Sequence, residues 1–320
     1  MASGEVLQSV LRPAGPHAHS IHDLWLLMFW TSAAVFVAVL AFVAAALVLG
    51  TRARRVGGPS HASERSLGGV VAGAVALTCI VLLGLLVASV WTGRHVASLH
   101  ADSAISIAVT GHQWWWEVEY EDARASRRAL TANELHVPLH RPVVIKVTSR
   151  DVIHSLWIPN LQGKRDLIPG YTTAIWLQAD RAGRFRGQCA EFCGLQHAHM
   201  AFDVVAEPDG EFERWLDHLR EPASAPAGDA ERRGLELFGA RRCASCHTIR
   251  GTDAAGQAAP DLTHVASRLT LASGTLPNTP AHRRAWIRNP QEPKPGTQMP
   301  ASPLPEEEMT ALGAYLDSLQ

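Results

Sequence analysis

Two stretches of this chain carry no charged residue: positions 24–51 (LWLLMFWTSAAVFVAVLAFVAAALVLGT) and positions 66–93 (SLGGVVAGAVALTCIVLLGLLVASVWTG). A run of about 28 residues rises ~42 Å as a helix, enough to cross a hydrocarbon core of ~30 Å with some tilt. The pair predicts a two-helix transmembrane hairpin within residues 1–100. Residues 52–65 (RARRVGGPSHASER) join the two runs with four arginines against one glutamate. The positive-inside bias puts that connection in the cytoplasm and both termini outside. A signal peptide fits the first run poorly: the run is too long, no basic stretch precedes it, and no small-residue cleavage site is evident. Everything after about residue 94 is then expected on the periplasmic or outer face of a bacterial cell membrane. Cys79, inside the second run, reads as inert packing.

Past the hairpin the pattern changes. Residues 105–120 (ISIAVTGHQWWWEVEY), 141–149 (RPVVIKVTS) and 172–179 (TTAIWLQA) alternate apolar and polar positions and predict strands, with prolines and glycines punctuating between them. Several short strands over residues 101–220 suggest a small β-sandwich or barrel. Residues 211–220 (EFERWLDHLR) predict a short closing helix, and 221–228 (EPASAPAG) a proline-rich linker. Residues 229–320 turn helical, with candidates at 235–240, 281–288 and 305–319; in the last, Met309, Leu312, Leu316 and Leu319 recur at helical spacing.

With 320 residues there is room for several domains, and a formal charge of −1 gives no basic field to suggest nucleic acid. Candidate chemistry concentrates in few places. Residues 188–200 read QCAEFCGLQHAHM, and with His154 in DVIHSLWIP, at the end of a predicted strand, the pattern is H-x34-C-x3-C-x3-H-x2-M. Four readings compete. A Cys189–Cys193 disulfide leaves the histidines and methionine unexplained. Structural zinc takes two cysteines and two histidines, but seldom a thioether. A single blue-copper centre needs only one cysteine. Two thiolates, two imidazoles and a thioether suit a copper pair best, because soft sulfur stabilises Cu(I) without expelling Cu(II).

H…C-A-E-F-C-G-x-x-H-x-x-M, together with GHQWWWEVEY (111–120), DVIHSLWIPNLQGKRDLIPG (151–170) and the preceding hairpin, resembles subunit II of the copper-containing cytochrome c oxidases over roughly residues 1–220. The resemblance implies a cupredoxin-like Greek-key barrel docked on oxidase subunit I, with subunit III in the same complex. It implies that His154, Cys189, Cys193, His197 and Met200 ligate a dinuclear copper (CuA) centre. Glu191 would join them through its backbone carbonyl, and its carboxylate would reach a Mg2+ or Mn2+ shared with subunit I. His199 has no counterpart and is the bystander of the loop. Trp114 matches the electron-entry residue; Trp115 and Trp116 read as core or membrane-interface aromatics. Glu64 reads as a solvated loop charge, with a proton-input carboxylate for subunit I as the alternative.

RRCASCHTIRG (241–251) contains C-x2-C-H, the haem c attachment signal of an exported segment. Cys243 and Cys246 would form the two thioethers and His247 would ligate the iron. A redox dithiol needs no histidine, and zinc would need a second ligand pair. For the sixth ligand, KPGTQMP (294–300) offers Met299; Met309, His264 and His282 are rivals. The segment resembles a small class I cytochrome c, an all-α domain in which the carbonyl of a proline, here Pro260, would hold the proximal histidine. His/Met ligation would raise the potential relative to His/His.

What the combined resemblance implies is an electron inlet. Electrons would pass from a cytochrome c-type donor through haem c and CuA to subunit I, where O2 is reduced to water with proton translocation, the linker acting as a tether. A copper-containing nitric oxide reductase subunit is the alternative. A quinol oxidase subunit would lack the copper ligands, nitrous oxide reductase would add a propeller, and a metal-delivery protein would have no use for haem.

Overall fold

The computed structural model describes residues 6–56, 64–98 and 105–320. Two helices, α1 (Pro16–Val56) from His19 onward and α2 (Glu64–Ser98), make up one unit. Both overrun the uncharged stretches, and both are long and apolar enough to cross a membrane. Their large apolar side chains, Phe36, Phe42 and Trp91 among them, lie exposed on every face, which suits lipid rather than water. Cys79 is exposed on α2. Of the basic connection at 52–65, residues 57–63 fall outside the described residues, as do 99–104 and 1–5. Glu64 is the first residue of α2.

The second unit begins with a β-sandwich. In chain order its strands are β1 (Ile105–His112), β2 (Trp115–Tyr120), β3 (Ala129–Ala132), β4 (Glu134–Pro138), β5 (Val143–Ser149), β6 (His154–Trp157), β7 (Lys164–Leu167), β8 (Thr173–Leu177), β9 (Gly183–Cys189) and β10 (Ala201–Glu207). They form two five-stranded sheets, ordered β3-β2-β1-β5-β8 and β4-β10-β9-β6-β7. β1 runs parallel to β5 and β4 to β10; the other pairs are antiparallel. Alternation drives the packing: in β1 and β2 every second residue is buried, so Ile107, Val109, Trp116, Val118 and Tyr120 meet Leu135, Leu156, Phe185 and Phe202 in one core. The Tyr120 hydroxyl donates to His136 O (2.9 Å) and accepts from His136 N (2.7 Å). Helix α3 (Asp209–Arg220) closes the sandwich by burying Phe212, Leu216 and Leu219. Residues before α1 also pack here: Leu7 N donates to Arg184 O (3.0 Å) and Ala14 N to Asn160 O (2.7 Å), an attachment the sequence pattern did not suggest. The arrangement is cupredoxin-like.

Beyond residue 220 the chain builds a second core around α4 (Asp229–Ala240), α5 (Pro280–Arg288) and α6 (Glu306–Ser318). α4 and α6 cross at Gly234, where an added Cβ would come within 2.2 Å of Ala311 O. Arg283 donates to Asp317 (2.8 Å) and Asn278 (2.6 Å), pinning α5 to α6. The domain is helical apart from one small strand pair, β11 (Thr270–Leu271) with β12 (Leu276–Pro277). The linker is not free chain. Ala223 N donates to Arg250 O (2.9 Å), Arg250 donates to Leu219 O (2.5 Å) and Arg220 O (3.1 Å), and His264 bonds Glu221 O (3.0 Å).

Candidate redox centres

The hairpin β9–β10 folds the copper-type donors into one place. Cys189 ends β9 and its N–H donates to Met200 O (2.9 Å), so the loop between them must turn back on itself. β6 pairs with β9, Leu156 opposite Cys189, which brings in His154. His154 opens β6 rather than ending the preceding strand: the chain reverses through residues 150–153, where the Ser149 hydroxyl donates to Val152 O (2.5 Å). Cys189 Sγ lies 3.8 Å from Cys193 Sγ, 3.9 Å from His154 Nδ1 and 3.2 Å from Glu191 O. Cys193 Sγ lies 3.7 Å from His197 Nδ1 and 3.8 Å from Met200 Sδ. Both cysteines are free thiols, so no disulfide closes the loop.

This donor set fits a copper pair. The bond shared with Cys193 draws Cys189 down to about 3, with His154 contributing; the same bond and burial push Cys193 up. With two buried sulfurs side by side, ionising one holds the proton on the other, so both can be thiolates only with a cation among them. Each thiol has its own imidazole, one has a fully buried thioether and the other a carbonyl, and thioether favours copper over zinc. Glu191's carboxylate lies 3.7 Å from Lys164 Nζ and stays half-exposed. Asp151, which the sequence did not single out, bonds His154 Nε2 through Oδ1 (2.8 Å) and accepts from Gln113 N through Oδ2 (2.6 Å). It fixes the imidazole with Nδ1 toward the sulfurs. Burial opposes protonation of His154, yet Cys189 and Asp151 outweigh it and raise its pKa. Gly111 leaves room for this ring, since a Cβ there would come within 2.8 Å of His154 Cδ2.

A cavity of about 320 Å³ opens in the helical domain, within the ~300–1,000 Å³ typical of small-molecule sites. Cys243, Cys246 and His247 line it, with Leu262, Leu316 and Met299. His247 Nδ1 donates to Pro260 O (2.7 Å), leaving Nε2 as the nitrogen with a lone pair for iron. Burial lowers its pKa, which favours that neutral form. The thiol pair and this histidine on one apolar wall fit a haem. Among the rival sixth ligands, Met309 is wholly buried in the helical core, His264 has both nitrogens against the carbonyls of Gln320 and Glu221, and His282 Nδ1 sits on the Thr279 hydroxyl.

The two sites share a wall. Trp114 lines the cavity and donates its Nε1–H to Cys193 O (3.0 Å), which Gln113 Nε2 also reaches (2.8 Å). Trp115, expected to be a core or interface aromatic, stacks on His112 (centroids 4.1 Å apart) and lines the same cavity; Trp116, the other residue so expected, is core. His199, expected to be idle, bonds Gln196 Oε1 (2.8 Å), and its carbonyl accepts from the buried Lys294 (2.9 Å). Burial draws that amine down to about 7, against the raising influence of Cys193.

Comparison with known proteins agrees with this arrangement. The family described as cytochrome C oxidase subunit II, periplasmic domain, matches residues 123–207, and the family described as cytochrome c matches residues 231–320. Cytochrome c oxidase subunit 2 of Alkalihalophilus pseudofirmus is 34% identical over 99% of this chain and 92% of its own length. Its counterpart in Bacillus subtilis is 33% identical over 69% and 64%. The solved periplasmic domain of subunit II of the cytochrome oxidase of Bradyrhizobium japonicum is 32% identical, covering 38% of this chain and 95% of that one with a TM-score of 0.35. Copper and haem are what the two matched domains imply, and a subunit I is the partner implied by the complex. The chain therefore belongs to the cytochrome c oxidase subunit II family, as a subunit of an oxidoreductase complex that carries a cytochrome c domain after its cupredoxin-like domain.

Proposed function

We propose that this chain is the electron-input subunit of a haem–copper oxidase, taking electrons from a cytochrome c-type donor and handing them to subunit I for reduction of O2 to water. One observation carries the reading: the donor cluster around Cys189 and Cys193 and the cavity around His247 share Trp114 as a wall. Bound there, a dinuclear copper centre and a covalent haem c would supply reversible one-electron chemistry at two adjoining points. His154, Cys189, Cys193, His197, Met200 and the Glu191 carbonyl would hold the copper; Cys243, Cys246, His247 and Met299 would hold the haem. The residues of the chain do the rest. Asp151 orients His154, Pro260 orients His247, and Trp114 excludes water from the wall while offering a π-system bonded to a copper ligand's backbone.

The Glu191 carboxylate, beside Lys164, is offered to a Mg2+ or Mn2+ at the contact with subunit I, with subunit III completing the complex. The helices α1 and α2 cross the bacterial cell membrane, leaving both termini and both redox domains on the outer face, as the arginines at 52–65 favour. The test is gas uptake by the purified complex together with metal analysis. The expected result is O2 consumption, two coppers and one covalent haem per copy of this chain; NO consumption without O2 consumption would move the reading to a nitric oxide reductase.

A further inference from the structure

Lys294 is only 2% exposed, inside the joint between the cupredoxin-like domain and the cytochrome domain. Its Nζ lies 2.8 Å from Trp114 O, 2.9 Å from His199 O and 2.8 Å from Ala272 O. An ammonium has three donors and no acceptor, so three carbonyls satisfy it completely. Those carbonyls belong to three separate segments: the β1–β2 turn, the copper-type loop, and the turn between β11 and β12. A buried ammonium without such partners would be strongly unfavourable, and no other role uses this side chain. Around it the joint continues. Gln196 Nε2 donates to Pro295 O (2.6 Å), Ala201 N donates to Ser273 O (3.0 Å), the Ser273 hydroxyl donates to Ala201 O (2.7 Å), and the Thr270 hydroxyl donates to Asp203 (2.8 Å).

We propose that Lys294 is a positioning residue that clasps the cytochrome domain to the copper loop, holding the cavity against the Trp114–Cys193 wall at one fixed separation. The proposal rests on the electron-input reading, and it adds what sets the geometry of the internal step. The sequence K-P-G-T-Q-M-P places the lysine five residues before Met299, so the clasp and the cavity wall belong to one short segment. Anything that loosens Lys294 therefore moves the Met299 side of the cavity relative to Trp114.

The test is Lys294→Met in the full complex, a change that keeps the apolar stem and removes all three donors. The unsubstituted complex is first shown to contain dinuclear copper and covalent haem; their absence would overturn the electron-input reading itself. In the variant, the expected result is unchanged copper and haem spectra, hydrogen exchange of the Ala201 amide faster by about ten-fold or more, and intramolecular electron transfer slowed by a similar factor. Unchanged exchange and unchanged transfer would overturn the clasp alone. Should the variant fail to assemble, the unsubstituted complex decides: a protected Ala201 amide supports the clasp, and exchange at the rate of an exposed turn overturns it.

Discussion

At the residue scale, the chemistry divides into what spacing announces and what only folding brings together. Cys189, Cys193, His197 and Met200 sit within one loop, and C-x2-C-H fixes Cys243, Cys246 and His247, so both donor groups were legible in the sequence. Asp151, Trp115 and Lys294 were not: Asp151 and Trp115 meet His154 and His112 only through the turns the chain makes between them, and Lys294 and Trp114 lie 180 positions apart. Cys193 touches the thiol of Cys189, the imidazole of His197 and the thioether of Met200. Cys193→Ser replaces a soft donor that would hold copper by a hard one and should abolish the dinuclear copper signal in electron paramagnetic resonance, while haem stays attached; a persistent two-copper signal would refute the ligand set. Met299 lines the haem cavity, whereas Met309 is locked in the core. Met299→Leu should keep covalent haem but remove the low-spin His/Met absorption, and an unaltered spectrum would shift the ligand elsewhere.

At the element scale, the strands that alternate cleanly, β1, β2, β5 and β8, were visible in the sequence, and the others were hidden for physical reasons. All five residues of β4 are buried, because β10 pairs with it and α3 packs against it, so the alternation that marks a half-buried strand is missing. β7 is polar and half exposed at a sheet edge, with only Leu167 buried. Helix α4 is the instructive miss at the other end. Periodicity starts only at Leu235, yet the helix begins at Asp229. Its opening residues before Gly234, DAERR, are held by a cap rather than by packing: Glu231 accepts from Ala227 N (2.6 Å) and Gly228 N (3.3 Å). With glycine in place of a serine or threonine at the cap, only half of the usual sequence signal is present. Glu231→Ala should destabilise the cytochrome domain by about 1 kcal/mol, read as a lower unfolding midpoint followed at the haem absorbance, with Glu231→Gln losing less.

For the whole molecule, the order of parts could be read along the chain, but their joining could not. A proline-rich stretch between two domains suggests a tether, and a tether sets the frequency of encounter through its length. The structure instead anchors the stretch at Ala223 and closes the joint with the Lys294 carbonyl cage and the Ala201–Ser273 pair. These contacts come from residues on opposite sides of the linker, so no local pattern encodes them. The two pictures separate experimentally. Ser224 and Ala225 are exposed, and inserting a Gly/Ser segment between them that roughly triples the eight residues 221–228 leaves every contact of the joint in place. A tethered domain would lose encounter frequency as about the −3/2 power of length, an approximately five-fold slower internal transfer. A docked domain feels only the small loop-closure cost of the added chain, ~0.6 kcal/mol per doubling, drawn from a joint that remains formed. The expected outcome is an internal electron-transfer rate that changes by less than about two-fold; a fall near five-fold would mean that the linker, not the joint, keeps the two centres together.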